Sequence, residues 1–264
     1  MIVSLMDAPL WLGLTVFCVA FVGLSCLILL ALRRWVARMA HEGSEWDRVL
    51  SYAVGAYGVF YGVTLALIAA ASYATYADVD QVALDESSSI AVLYRSAENV
   101  PEPQRTELRE ALIAYTTNVV EDDWPQQARL IEPVSGDADV TAIQQAITGF
   151  IPADPREINV QAQTLQSFDT FVGERRQRIE VTDLALPSIL WTVLWVGAIL
   201  NAILLSLIQV RDIRIHLIMV GLIAVFVALL LYAIAGFDRP YSGPIAVTPG
   251  YYQSLLDGLF QRVP

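Results

Sequence analysis

The chain has 264 residues, of which 56% are hydrophobic and only 16% are charged, and its formal net charge at pH 7 is −11. Soluble domains carry about 25% charged residues, so this composition excludes an ordinary soluble protein. The negative charge also argues against nucleic acid or anionic lipid as a partner held by charge attraction.

Four runs of sequence contain no Asp, Glu, Lys or Arg: residues 8–32, 49–77, 184–210 and 215–237. Each is long enough to cross a bilayer as a helix, with predicted spans at about 9–32, 50–77, 187–209 and 215–236. Short linkers join the first span to the second and the third to the fourth. We therefore predict an all-α membrane protein with two helical hairpins. Its regions are 1–77, an insert at 78–183, 184–237 and a C-terminal segment at 238–264.

The first run is interpreted as a retained helix and not as a cleaved signal peptide. Residues 1–7 contain no basic residue, the apolar run exceeds the core of a signal peptide, and no small-residue cleavage site ends it. Cys26 resembles a lipoprotein site, but the apolar run continues past it to Leu32. Cys18 is the only other cysteine, so neither a disulfide framework nor a zinc cluster is indicated.

The arginines predict the orientation of the spans. All 16 basic residues are arginines, and six of them lie in the two short linkers. We expect a multi-pass protein of the inner (cytoplasmic) membrane. The positive-inside rule then places both linkers in the cytoplasm. The insert and both termini are therefore expected outside, although Arg175, Arg176 and Arg178 near the third span weaken the bias.

The insert at residues 78–183, the acidic insert, has 20 acidic residues against 8 arginines, a net charge of −12. This charge is interpreted as a solvated surface or as a vestibule that concentrates cations. Apolar spacing predicts helices throughout. The second span continues outward to Pro101, a second helix reaches Trp124 before Pro125 breaks or kinks it, and a short third helix follows. Asp154 and Pro155 then begin a long helix that runs toward the third span.

The C-terminal segment begins with turn-forming residues and ends in a short amphipathic helix after Thr248. We expect this helix to dock on the acidic insert and not to lie on the membrane surface, because Arg262 is its only positive charge.

The sequence shows few groups that could perform chemistry. No Asp, Glu, Lys or Arg lies in mid-span, which argues against a carrier or a proton relay. His41 and His216 are the only histidines and neither has a second metal ligand nearby. No phosphate-binding loop, nucleophile elbow or zinc-protease motif is present. We therefore expect no enzymatic activity, no metal and no cofactor.

The second span has two distinctive faces. Small residues suited to close helix packing are spaced by three or four: Gly55, Gly58, Gly62 and Ala66. A neighbouring face carries Tyr57, Phe60, Tyr61 and Thr64. These four side chains either fill space against helices and lipid or line a narrow apolar pore in an oligomer.

Glu86 interrupts an apolar stripe between Val82 and Ile90. An unpaired buried carboxylate is unfavourable, so a cationic partner is expected, with Arg175 or Arg176 at a matching distance from the third span. The candidates for such an ion pair, or for a charged ring at a pore mouth, are Arg95, Arg175, Arg176 and Arg178.

Six short motifs stand out along the chain: Leu93-Tyr94-Arg95, Asp123-Trp124-Pro125, Arg175 to Arg178, Leu186-Pro187, Leu190-Trp191 and Asp238-Arg239-Pro240-Tyr241-Ser242-Gly243. Together they resemble the bestrophin-like domain family of mostly uncharacterised four-span bacterial membrane proteins. The last motif is the most specific. Asp123 stands where the family usually has Glu, which is a conservative departure.

The resemblance implies a four-span subunit that assembles, as bestrophins do, into a pentameric ion channel with an apolar neck. Bestrophins place their soluble part in the cytosol, which conflicts with the orientation that the arginines predict. Bestrophins are known chiefly as anion channels, whereas a net charge of −12 beside the mouth would repel anions. The sign of the ion therefore stays open.

Two hypotheses follow for the function. The first is a homo-oligomeric ion channel in the lipid bilayer, lined by the second span. The second is a non-conducting sensor or scaffold whose acidic insert binds a partner or a cation and passes strain along two continuous helices.

Overall fold

The computed structural model describes residues 9–39, 44–210, 212–243 and 245–261, and within these ranges it contains helices and no strand. His41, Arg211 and Arg262 lie outside the described residues. In chain order the helices are α1 (Leu10–Met39), α2 (Ser44–Ser96), α3 (Gln104–Asn118), α4 (Trp124–Gln127), α5 (Asp137–Thr148), α6 (Pro155–Glu180), α7 (Ser188–Leu207), α8 (Ile213–Phe237) and α9 (Gly250–Ser254).

The chain forms two compact units. The apolar unit comprises Met1–Tyr76 with Ala185–Ala246, and the acidic unit comprises Ala77–Leu184 with Val247–Pro264. Four helices among the described residues, α1, α2, α7 and α8, are long and apolar enough to cross a membrane. The prediction of an all-α chain with four spans is confirmed in these terms.

In the apolar unit, α1 packs against both α7 and α8. The buried core includes Phe17 of α1, Leu194 of α7 and Leu231 of α8. On α2 the buried positions Tyr61 and Leu65 recur with helical spacing, so one face of this helix points into the core.

Helix α2 continues without a break from the second apolar run into the acidic unit, as the sequence predicts. It ends at Ser96 and is followed by a 3₁₀ turn at Ala97–Asn99. Pro101 comes two residues later and cannot donate a backbone hydrogen bond, so the helix ends before it.

The predicted continuity between the long helix of the acidic insert and the third span is wrong. Helix α6 ends at Glu180, a 3₁₀ turn covers Val181–Asp183, and α7 begins only at Ser188. Pro187 explains the break, because it lacks a backbone N–H and disfavours helical geometry at Leu186. Among the described residues, one helix and not two runs from an apolar span into the acidic unit.

The acidic unit is built on α3, which packs against α5, while α5 packs against α6. Its core includes Leu108 and Leu112 of α3 and Ile143 and Ile147 of α5, all fully buried. At Pro125, where the sequence predicts a break or a kink, the helix passes through a π-helical turn at Val119–Asp123 into α4. Such a turn shifts the hydrogen-bond register, which accommodates a residue without a donor.

Two predictions for the acidic unit are confirmed, the start of α6 and the docking of the C-terminal helix. The Asp154 side chain accepts a hydrogen bond of 2.9 Å from the backbone N–H of Glu157 and caps α6. Helix α9 and the π-helical turn at Leu255–Leu259 belong to the acidic unit, and Tyr252 is fully buried there. The C-terminal helix therefore docks on the acidic insert.

Candidate functional site

Arg178 lies at the centre of a buried polar cluster in the acidic unit. Its Nε donates to Glu86 Oε2 over 2.5 Å, and its second terminal nitrogen donates to Asp123 Oδ2 over 2.8 Å. All three side chains have no exposed surface. Helix α2, the π-helical turn and α6 each contribute one charged group, so the cluster fixes these elements relative to one another within the unit.

Neutral side chains complete the coordination of the three charges. The hydroxyls of Tyr115 and Tyr252 both donate to Glu86, the latter over 2.7 Å. Ser135 Oγ donates to Asp123 over 2.7 Å. Gln127 accepts from Arg178 over 2.6 Å through its oxygen and donates to Thr182 Oγ1 over 2.7 Å through its nitrogen. Buried charges persist when their hydrogen bonds are satisfied in this way.

Burial and the charges of this cluster shift the pKa values of Tyr115, Tyr252 and Arg178. Burial raises the pKa of Tyr115 and of Tyr252 well above the usual value, and the charge of Glu86 raises both further. Burial alone would lower the pKa of Arg178, but its interactions with Glu86, Tyr115, Tyr252 and Asp123 together outweigh burial, and the pKa lies well above its usual value. Arg178 is therefore a permanent cation, and the two phenols are held as neutral donors.

The predicted partner of Glu86 was Arg175 or Arg176, whereas the structure pairs Glu86 with Arg178. Arg175 pairs with Asp137 over 2.7 Å, and the exposed Arg176 pairs with Glu180 over 2.7 Å. Arg178 follows Phe171 by seven residues and shares its buried face, which explains why it reaches Glu86. Arg95 is exposed and lies outside the cluster.

Sequence reasoning did not identify the neutral members of the cluster. Gln127 follows Asp123 by four residues, so both lie on one face of the helix, and this spacing was the available signal. Tyr115 and Tyr252 sit in apolar stripes that predict only burial. Nothing in the sequence indicates that their hydroxyls meet at Glu86, because the two residues are separated by more than 130 positions.

The Asp238 motif performs a positioning role in the apolar unit. Asp238 follows α8 and accepts from the backbone N–H of Leu186 over 2.5 Å and from Trp191 Nε1 over 3.0 Å. It therefore ties the end of α8 to the start of α7, where Pro187 is the N-terminal cap. Gly243 has φ of 92°, a conformation that favours glycine.

Two further residues of the family motifs are also buried. Pro240 is buried in the turn after α8. Trp124 donates from Nε1 to the carbonyl of Val247 over 3.2 Å inside the acidic unit. The Trp124 contact joins α4 to the C-terminal segment within the acidic unit.

Tyr57 and Tyr61 bridge α2 to α7. Tyr57 Oη donates to the carbonyl of Gly197 over 2.5 Å, and Tyr61 Oη donates to that of Leu194 over 2.9 Å. A Cβ atom added at Gly197 would lie 2.2 Å from the Tyr61 ring, so only glycine permits this close contact. The four side chains proposed as a pore lining meet here in one place.

They line a groove of about 360 Å³ between α2 and α7. Its lining consists of Tyr57, Phe60, Tyr61, Thr64, Thr192, Val193, Val196, Gly197 and Leu200. Tyr61 is only 7% exposed and packs inside its own subunit, so its assignment to a pore lining is corrected. Phe60, by contrast, is 73% exposed.

The small-residue face of α2 is open. A Cβ atom added at Gly55, Gly58 or Gly62 would meet nothing within 4 Å, and Ala66 is exposed. The helix packing predicted for these residues therefore does not occur within the single chain. Among the described residues there is also no group of His, Cys, Asp and Glu that could hold a metal ion.

Comparison with known proteins gives a consistent picture. The chain matches the family model for the Bestrophin-like domain over residues 19–252. Its fold is similar to the crystal structure of a variant of a bacterial bestrophin homologue from Klebsiella pneumoniae, with a TM-score of 0.69 and 13% sequence identity. The similarity covers 92% of this chain and 99% of that one. No curated protein matches the sequence.

Proposed function

This chain belongs to the Bestrophin-like domain family, and on that premise we propose that it forms a homo-oligomeric ion channel with an apolar pore. The observation that carries the proposal is the exposed face of α2, which bears no charged side chain across the whole second run. A protein without mid-span charge has no relay of charged groups, and an ion channel of this kind can be gated by dewetting of an apolar constriction. A pentamer is the assembly that the resemblance to bestrophins implies.

The pore lining in this proposal differs from the four residues that form the groove. Successive residues of a helix are rotated by about 100°, so Val59 and Val63 lie opposite the buried Tyr61. Their exposed fractions are 65% and 54%. In a ring of subunits whose cores pack outward, this face of α2 points to the central axis. Val59 and Val63 then form the apolar neck.

Flux across liposomes tests the channel. The purified protein is reconstituted under separate Na⁺, K⁺ and Cl⁻ gradients, and the proposal requires flux of at least one ion. Val63→Cys should make that flux sensitive to a charged thiol reagent, because the cysteine faces the pore. Val19→Cys is the control, since Val19 is 67% exposed and lies on α1, outside the lining proposed for α2.

Each outcome of the flux assay decides between the two hypotheses. Absence of flux for all three ions overturns the channel and favours the sensor or scaffold, whose acidic insert carries the net charge of −12. If the charged thiol reagent leaves the flux unchanged in both Val19→Cys and Val63→Cys, the protein is still a channel, but another face lines its pore.

The orientation of the acidic unit belongs to the same proposal. The arginine-rich linkers favour a cytoplasmic position for the connections between spans, with the acidic unit outside. A reporter fused near Ser135 should then be active only when exported. Activity of the same fusion in the cytoplasm would reverse the orientation and agree with the topology of bestrophins.

A further inference from the structure

The end of α1 carries a group of exposed arginines. Arg33, Arg34 and Arg38 lie on its last two turns, and all three side chains are exposed. None of them has an ion-pair or hydrogen-bond partner in the part of the chain that the structure describes. Helix α1 contains no Asp or Glu, so no acid of the same helix offsets these charges. Three positive charges without a counter-ion on their own helix are thus available to a partner from outside the chain.

Two of the arginines project from the outer face of α1. Leu29 and Val36 are both buried and are seven residues apart, so they mark the face of the helix that packs in the apolar unit. Successive residues are rotated by about 100°, which directs Arg34 and Arg38 about 160° away from Val36. Their guanidinium groups therefore lie on the side that faces away from the other helices of this unit.

The outer face changes from apolar to cationic along the helix. Leu30 lies about one turn before Arg34, and Leu27 lies about two turns before it on the same side. Both leucines are exposed, and so is Trp35, which follows Arg34 directly. Tryptophan is enriched at the level of lipid headgroups, where its ring is apolar and its N–H is polar. The face thus presents, in order, an apolar surface, an interfacial indole and a pair of cations.

The length of α1 places these cations at headgroup level. The candidate span Leu10–Val36 has 27 residues. At about 1.5 Å per residue it is about 40 Å long, whereas the hydrocarbon core of a bilayer is about 30 Å thick. The excess length belongs at the charged end, because an arginine within the hydrocarbon core is unfavourable. Arg34 and Arg38 therefore lie among the headgroups while Leu27 and Leu30 contact acyl chains.

We infer that this face binds an anionic phospholipid, with the phosphate of the headgroup at Arg34 and Arg38 and the acyl chains along Leu27 and Leu30. A guanidinium presents paired N–H donors that match two oxygens of a phosphate, and it is less strongly hydrated than an ammonium. A soluble anion would leave the exposed leucines uncovered. A phospholipid has the charged part and the apolar part in one molecule, so it fits the whole face.

The net charge of the chain does not oppose this inference. The acidic insert carries −12, which accounts for the whole net charge of −11. The expectation that the chain does not attract anionic lipid therefore applies to the insert and not to the end of α1. The inference holds whether or not the chain conducts ions, and for either orientation in the membrane.

Lipid binding to the full chain tests the inference. The purified protein is depleted of lipid in a neutral detergent and titrated with phosphatidylglycerol or with phosphatidylcholine of the same acyl chains, and bound lipid is counted by native mass spectrometry. Phosphatidylglycerol should bind roughly tenfold more tightly, because its headgroup adds a net negative charge near several arginines. Equal binding of the two lipids overturns the inference. Glycerol phosphate should not compete, and full competition at equal concentration would assign the face to a soluble phosphate compound instead.

Matched double variants separate a site from attraction by overall charge. Arg34→Gln, Arg38→Gln should bind the two lipids equally. Arg95→Gln, Arg156→Gln removes the same charge from exposed arginines of the acidic unit and should keep the preference for phosphatidylglycerol. Both variants should unfold at the wild-type temperature in lipid-free detergent, because all four side chains are exposed. Equal loss of preference in the two variants shows attraction by net charge alone and overturns the inference.

A second measurement needs only the wild-type chain. Phosphatidylglycerol with a photoreactive diazirine in its acyl chain is added to vesicles that contain the protein, and the labelled peptides are mapped by mass spectrometry after illumination. Label should concentrate on residues 27–38 and exceed that at the opposite end of α1, where Trp11 is also exposed. Phosphatidylcholine with the same diazirine should label the two ends alike. Phosphatidylglycerol label spread evenly over the exposed spans overturns the inference.

Discussion

Arg178 and Glu86 form an ion pair in which neither side chain is exposed, with Nε and Oε2 separated by 2.5 Å. The pair joins α6 to the helix that also forms the second span, across 92 positions of sequence. Buried ion pairs add little net stability compared with an apolar replacement, but loss of one partner strands a charge away from water. The acidic unit is therefore stable only when its helices pack so that the buried charges of the cluster are paired.

The first prediction concerns the loss of Arg178. The substitution Arg178→Ala leaves Glu86 and Asp123 buried without their cation and should lower the free energy of unfolding by about 3–5 kcal/mol. Thermal unfolding of the purified protein in detergent measures the change. Arg176→Ala is the matched control on the same helix, because Arg176 is exposed and its pair with Glu180 contributes about 0.5 kcal/mol or less. Equal losses in the two variants would show that the cluster does not stabilise the unit.

The second prediction concerns the docking of the C-terminal helix. Tyr252→Phe keeps the ring that packs against Trp124 but removes the hydroxyl that donates to Glu86. A hydrogen bond to a charged group contributes about 1.5–3 kcal/mol, so proteolytic cleavage in the C-terminal segment should accelerate by one to two orders of magnitude. Tyr52→Phe, at a 75% exposed tyrosine, is the control. Unchanged cleavage in Tyr252→Phe would assign docking to apolar contacts alone.

The third prediction is a loss of stability at alkaline pH. The pKa values of Tyr115 and Tyr252 are raised in the folded state above the ordinary value of 10.0. The folded protein therefore holds these protons more tightly than the unfolded chain does. The stabilisation is complete below the unfolded pKa and is lost as the pH rises above about 10.

Thermal unfolding recorded between about pH 8 and about pH 11 measures this loss. The wild-type unfolding temperature should fall in the upper part of that range, and the fall should be shallower in Tyr252→Phe, which has one fewer phenol to ionise. Identical slopes in the two proteins would show that other groups cause the alkaline transition.

The fourth prediction tests the contact beside the proposed neck. Phe60→Ala removes the ring that fills the groove edge, so ion leak through the reconstituted channel should rise. Phe226→Ala is the control, because Phe226 on α8 is 62% exposed and lies on a different span. Flux that is unchanged in Phe60→Ala but altered in Phe226→Ala would assign the pore lining to α8 and not to α2.

Spacing in the sequence was sufficient to predict the helices. Charge-free runs indicated four spans, and the cap at Asp154 indicated the start of α6 because capping is a local interaction. The break before Ser188 was missed, since apolar periodicity continues across it. The available signal was Pro187, which lacks a backbone N–H and disfavours helical geometry at Leu186, so that α7 begins only at Ser188.

The candidate sites were predictable only in part. The unusual position of Glu86 in an apolar stripe correctly indicated a buried charge. Which arginine pairs with it depends on the face that α6 turns toward α2, and packing between distant segments determines that face. Tyr61 shows the opposite error: its place beside Phe60 suggested a shared role, yet neighbouring residues of a helix point about 100° apart.

The last prediction concerns Asp238, whose carboxylate has two acceptor oxygens and uses both. One accepts from the backbone of Leu186 and the other from Trp191 Nε1. Asp238→Asn replaces one oxygen with a nitrogen that only donates, so one of the two N–H groups faces another donor. The cost should be about 1–3 kcal/mol in the free energy of unfolding, measured by thermal unfolding in detergent. The double variant Asp238→Asn, Trp191→Phe removes the conflicting donor and should recover part of that loss. If the loss in the double variant instead equals the sum of the losses in the two single variants, the two side chains do not act together. Asp238 then does not fix the start of the third span in this way.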